Sequence, residues 1–201
     1  MTANPFDSMA YDNMVGIWIG TFAIFDTAGD CVTAGPSRYM VYWKDRPNLM
    51  HFRQDQDLQA TVVKSLIERV EDPTLKRLLQ VDDAAAQVVE DLAAPDYDLI
   101  VTGKSAEGVG MGPAGRPVEV TAAELSPDVY HFQLAEKGSK AQFRWYNTHI
   151  FPSQDERRTI GPVIDMTGRI GLIMLHTYTR ISRTVPETLF TTLGEKLSHR
   201  S

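Results

Sequence analysis

The chain has 201 residues, 43% of them hydrophobic, a formal charge of −6 and a pI near 5.3. With no basic surplus to neutralise phosphates, nucleic acid and anionic membrane surfaces are excluded as partners, and a small neutral or weakly acidic molecule is expected instead. The length suits one core and no composition shift divides the chain, so residues 1–201 are read as a single domain.

The first stretch, Met1 to Met14, carries Asp7 and Asp12 and no basic or continuous apolar run. That argues against a signal peptide; no later apolar stretch approaches a membrane span, and a cytoplasmic protein is expected. Asn4 to Met14 suits a short helical lead-in. Gly16 to Phe25 is rich in aromatic and β-branched residues and predicts a first strand. Asp26 to Asp30 is a hairpin turn, and Cys31 to Trp43 returns with Tyr39, Val41 and Trp43 on one face. The lone Cys31 forms no intrachain disulfide and, with no histidine nearby in sequence, reads as a small apolar residue rather than a nucleophile. After a turn at Asp45 to Asn48, Leu49 to Gln54 predicts a third strand.

The hydrophobic period then changes from two to about 3.6. Asp57 can cap a helix with Val62, Val63, Leu66, Ile67 and Val70 on one stripe. Asp72 and Pro73 suit the start of another, and Val88, Val89 and Leu92 continue the pattern. Residues 57–94 are therefore expected to be a helical insertion after the third strand, either a plug for a barrel end or a lid over a ligand entrance.

Tyr97 to Lys104 returns to strand character. Two glycine motifs follow and both fail on context. Thr102-Gly103-Lys104-Ser105 lacks the upstream glycine of a phosphate loop, where Asp98 stands. Gly110 to Gly115 spells a dinucleotide fingerprint, but Pro113 and Pro117 obstruct the helix it needs. This segment is read as a flexible connection. Strands are expected at Val118 to Ala123, Val129 to Ala135, Ala141 to Phe151, Arg157 to Ile164 and Ile170 to Arg183, and a short C-terminal helix at Pro186 to Leu197. Eight or nine strands with short connections and no βαβ alternation predict a mainly β fold. The expected form is a closed antiparallel up-and-down barrel, because closure removes exposed edges.

Gly16-Ile17-Trp18 after a short lead-in, on the first strand of such a barrel, resembles the Gly-x-Trp signature of the lipocalins and the wider calycin group. In that family an arginine near the end of the last strand packs across the tryptophan, and Arg180 and Arg183 are suitably placed. Lipocalins carry their main helix after the last strand, whereas this chain carries its helical segment after the third, as in a calycin-like relative. The resemblance implies a barrel that binds small hydrophobic molecules. In some bacterial relatives such a barrel performs cofactor-free decarboxylation, cyclisation or isomerisation.

Alternation decides which side chains would line the interior. Trp145, Asn147 and His149 share the more apolar face of their strand. On the last strand Leu172, Met174, His176, Tyr178 and Arg180 are taken as inward, with Tyr130, Phe132, Leu134, Phe22 and Ile24 completing the wall. A histidine removed from water can act as an acid or base, and a tyrosine can donate to a developing oxyanion. His149, His176 and Tyr178 are therefore the candidate catalytic residues. Trp145, Asn147, Tyr39, Trp43, Phe22 and Phe132 are the candidate ligand-binding residues, with aromatic walls suited to a flat or unsaturated molecule. These polar tips can equally be satisfied core groups. His131, His149 and His176 could meet on adjacent strands, but no close-spaced ligand pair supports a metal, and neither metal nor cofactor is expected. The leading expectation is a cofactor-independent lyase, isomerase or cyclase acting on a small aromatic or unsaturated molecule. The rival is a non-catalytic carrier or sensor of small hydrophobic ligands. A homodimer is compatible with either.

Overall fold

A computed structural model of the chain describes residues 9–56, 96–111, 117–137, 143–165 and 167–185. The expected helical insertion at 57–94 and the C-terminal helix at 186–197 lie outside the described residues. So does the part of the lead-in before Met9; its remainder is a helix, α1, at Met9–Met14.

Ten antiparallel strands follow: β1 Gly16–Phe25, β2 Cys31–Asp45, β3 Leu49–Gln56, β4 Asp96–Thr102, β5 Ser105–Met111, β6 Pro117–Ser126, β7 Val129–Glu136, β8 Phe143–Ser153, β9 Glu156–Asp165 and β10 Ile170–Ser182. Each pairs with its neighbours in sequence, and β1 pairs with β10 to close the barrel. Closure leaves no edge strand with unpaired backbone groups, and the meander needs no crossover.

The count exceeds the eight or nine expected because the supposed flexible connection contains β5, paired on both sides with β4 and β6. Its glycines suggest a loop but serve close approach. A Cβ on Gly110 would come within 2.4 Å of Tyr97 Cβ and 2.5 Å of the Asp96 carbonyl oxygen, and one on Gly108 within 2.0 Å of the Asp98 carbonyl oxygen. Only glycine lets β5 lie this close to β4.

Alternation along the strands turns one set of side chains into the barrel, where they are mostly buried. One end is closed by α1. Ala10 and Tyr11 are fully buried there; the Ala10 amide donates to Glu124 Oε2 at 3.1 Å, and Asn13 Nδ2 donates to the Pro127 carbonyl at 3.2 Å. Trp18 is 0% exposed above this plug, its Nε1 donating to the Met14 carbonyl at 2.9 Å. Arg180, paired in register with Trp18, places its Cζ 4.3 Å from the centre of the indole and donates from Nη2 to the Asn13 carbonyl at 2.6 Å. The tryptophan, the last-strand arginine and the lead-in helix thus form one closed end. The arginine supplies a cation over a ring face and satisfies a carbonyl that α1 leaves open.

At the opposite end β3 finishes and β4 begins, and the hairpins β1–β2 and β9–β10 turn. There and toward the middle, inward-facing Gln54, Asn147 and Met174 remain partly exposed, whereas inward-facing side chains beside α1 are buried.

Candidate functional site

Between the closed end and the middle of the barrel, polar side chains from five strands meet. On β10, His176 and Tyr178 stand one alternation apart and stack nearly parallel, at 9° with ring centres 5.7 Å apart. Gln54 of β3 reaches both: Nε2 donates to Tyr178 Oη at 2.9 Å and lies 3.2 Å from His176 Nε2. The second N–H of that amide fits a ring nitrogen that carries no proton, which makes Nδ1 the protonated position of a neutral His176. Ser37 of β2 lies 2.8 Å from Tyr178 Oη. Tyr178 accepts from Gln54, so its own O–H is free to point at Ser37 Oγ.

His149 of β8 lies across the interior, enclosed by the rings of Tyr39, Tyr130 and Phe132 at 5.5 to 6.2 Å. Its Nδ1 is 3.3 Å from Thr159 Oγ1, the residue opposite it in register. Burial holds His149 well below the usual imidazole range, with the charge of Arg157 acting in the same sense. Burial and Arg157 likewise push His176 down to about 3. Both rings are therefore neutral near pH 7, suited to donate and accept hydrogen bonds and poorly matched to carry a proton. Burial raises Tyr39 to about 12 and also raises Tyr178, so both remain phenols.

The residue at the centre of this cluster is Arg157, which sequence reasoning did not single out. Tyr178 faces it in register across β9 and β10, and it is 0% exposed. Its Cζ lies 3.8 Å from the centre of the Tyr39 ring, 4.4 Å from Tyr178 and 5.1 Å from Trp18. Among the described residues, none of its three guanidinium nitrogens has a hydrogen-bond acceptor. Tyr130 Oη and Asn147 Oδ1 are also buried without a hydrogen-bond partner there. Alternation gives no warning of this arrangement. On β9 the inward set is Arg157, Thr159, Gly161 and Val163, while the outward set includes Ile160, 50% exposed, and Pro162. The outward face also carries Glu156 and Arg158, so neither face stands out as the apolar one.

Of the residues expected from sequence, His149, His176, Tyr178, Tyr39, Asn147, Trp145, Phe22 and Phe132 all point into the barrel, and Phe22 packs on His176 at 6.3 Å. Trp43 packs against the same core but at another level. It lies at the α1 end, half-buried, with Nε1 donating to Asp12 Oδ1 at 3.1 Å. His131 faces outward, stacked on Tyr146 at 6.1 Å with Nδ1 3.2 Å from Thr148 Oγ1, so the three histidines do not meet. Among the described residues no group of three or more His, Cys, Asp or Glu side chains is arranged to hold a metal ion. Among them, too, no helix is long and apolar enough to cross a membrane.

No family model and no curated protein matches the chain. Among solved structures it is similar to Rv2717c from M. tuberculosis, with a TM-score of 0.52 at 12% identity over 84% of this chain and 92% of that one. A weaker likeness is to the S-type phycobiliprotein lyase CPES from Guillardia theta, with a TM-score of 0.47 at 11% identity over 85% of this chain and 89% of that one. The first likeness, with the closed antiparallel topology, makes the fold a calycin-like barrel.

Proposed function

We propose that the barrel, a single cytoplasmic domain over residues 1–201, takes up a small aromatic or unsaturated molecule. His149, His176 and Tyr178 would engage its polar group, and Tyr39, Phe22, Phe132, Trp145 and Asn147 its body. The observation that carries this reading is the interior polar cluster, with buried Tyr130 Oη and Asn147 Oδ1 lacking hydrogen-bond partners among the described residues. Purely structural interiors bury such atoms rarely, because each costs about 1–3 kcal/mol. The partial exposure of Gln54, Asn147 and Met174 supports an approach from the end away from α1. No cofactor is part of this proposal.

A second reading is cofactor-independent catalysis of the lyase, isomerase or cyclase type. It is favoured by the shared hydrogen bonding of His176, Gln54 and Tyr178, since a neutral imidazole and a phenol side by side can polarise a carbonyl without taking up a proton. A carrier tolerates His176→Gln with a modest change in affinity, whereas an enzyme that uses the ring to polarise a carbonyl loses about 10² to 10³ in turnover while still binding.

The direct test uses N-phenyl-1-naphthylamine, a neutral flat fluorophore. Wild-type protein is expected to bind it saturably at one site, and Met174→Trp, which enlarges an inward-facing side chain on the approach, to weaken binding at least tenfold. Absence of saturable binding, or unchanged binding by a folded Met174→Trp variant, refutes the reading.

A further inference from the structure

We propose that Arg157 is the receptor for an anionic group on the ligand, so that the barrel selects planar aromatic or unsaturated acids, carboxylates above all, over their neutral counterparts. The proposal rests on the interior-site reading above and adds to it the class of molecule.

Arginine carries five N–H donors and remains charged in proteins. Arg157 is 0% exposed, and its Nε, Nη1 and Nη2 have no hydrogen-bond acceptor among the described residues. A buried cation of this kind is costly unless an opposite charge or a set of acceptors meets it. The three rings around it do part of that work. Their faces attract the positive carbon at 3.8 to 5.1 Å, which places the cation but leaves the N–H groups unanswered.

No carboxylate of the described residues takes the role. Buried Glu124 is committed at the α1 end, to the Ala10 amide and to Lys104 Nζ at 3.2 Å. Buried Glu136 is the last residue of β7, at the opposite end of the barrel. The groups around Arg157 that favour its charged form are neutral tyrosines, Tyr39, Tyr178 and Tyr97, with the Tyr178 hydroxyl as a side-chain partner already engaged by Gln54 and Ser37. A guanidinium with a free N–H edge matches a carboxylate, which can accept two parallel hydrogen bonds.

The surroundings favour the same partner. His149 and His176 are neutral, so neither adds a second positive charge. Tyr130 Oη is buried without a hydrogen-bond partner among the described residues and can donate its proton to the same anion. An acid seated with its carboxylate on Arg157 would extend its flat body away from the Trp18 plug, toward Phe132, Phe22 and Trp145. The aromatic side chains there supply the stacking surface a neutral carrier would also have. Arg157 supplies the discrimination.

The test compares naphthalene-2-carboxylate with naphthalene-2-carboxamide, alike in shape and different in charge, by calorimetry in wild-type protein, Arg157→Met and Arg157→Lys. The acid is expected to bind wild type at least tenfold more tightly than the amide. Arg157→Met should remove the preference for the acid, and Arg157→Lys should keep part of it. Equal binding of acid and amide by wild type overturns the anion proposal and leaves the interior site standing, as does a preference that survives in Arg157→Met. Saturation by chloride alone, without preference for the acid, overturns it too. If neither naphthalene compound and no N-phenyl-1-naphthylamine binds, the interior-site reading itself fails. Should Arg157→Met not fold, the acid–amide comparison in wild type and in Arg157→Lys decides the matter.

Discussion

Lowering the pH from 7 to 5 is expected to destabilise the protein specifically through its two inward histidines. In the unfolded chain each titrates near 6.5, whereas in the barrel His176 is held at about 3 and His149 also lies well below the ordinary value, both mainly by burial. Across that window the unfolded chain binds a proton that the barrel refuses, so stability rises with pH up to about 6.5 and levels off above it. For His176 the difference between pH 7 and pH 5 is about 1.9 kcal/mol, from reference values of 6.5 unfolded and about 3 folded. His149 adds a loss of the same sign. The His176 loss alone is a large fraction of the stability of an ordinary domain. The assay is urea unfolding at pH 7, 6 and 5 for wild type, His149→Gln, His176→Gln and the double variant. Glutamine is neutral throughout, so each single variant should lose its share of the pH dependence and the double variant most of it, leaving only what the carboxylates contribute. An equally steep dependence in the double variant refutes the assignment of these rings as buried and neutral.

Two further outcomes test the fold that positions the site. Gly110→Val forces a branched side chain against Tyr97 and the Asp96 carbonyl and should cost about 3 kcal/mol or more, read as a lower urea midpoint; an unchanged midpoint would mean that residues 105–111 are not paired with β4. Trp18→Ala removes the ring that Arg180 covers and the hydrogen bond to Met14, and should cost about 3–5 kcal/mol with faster amide exchange in α1. A loss below 1 kcal/mol would show that the closed end does not depend on it.

The sequence by itself determined the β meander, the inward faces of β8 and β10, and the buried Trp18 under an arginine of the last strand. The meander and the β8 face were legible from local pattern, period-two alternation, turn residues between runs and an apolar face distinct from its reverse, whereas Trp18 under an arginine follows from the Gly-x-Trp resemblance. Trp145, Asn147 and His149 lie on the more apolar face of β8, whereas on β10 both faces carry apolar residues, and the parity that brings Arg180 to the Trp18 end is what turns His176 and Tyr178 inward. What only the tertiary structure decided are the features set by neighbours distant in sequence. Gly108 and Gly110 belong to a strand because β4 and β6 lie against them on either side, and a glycine run carries no mark of that proximity. Trp43 has the parity of Tyr39 but belongs to the other level of the barrel, where Asp12 of α1 takes its N–H; height along a strand depends on how the barrel closes. His131 turns outward because β7 buries Tyr130, Phe132 and Leu134. Arg157 is the clearest case: on β9 charged residues stand on both faces, Glu156 and Arg158 outward and Arg157 inward, and exposed Ile160 faces solvent, so the pattern does not mark an apolar inner face. Alternation assumes that an interior repels charge, and that assumption breaks where the interior places three aromatic faces around a cation and leaves its N–H groups open.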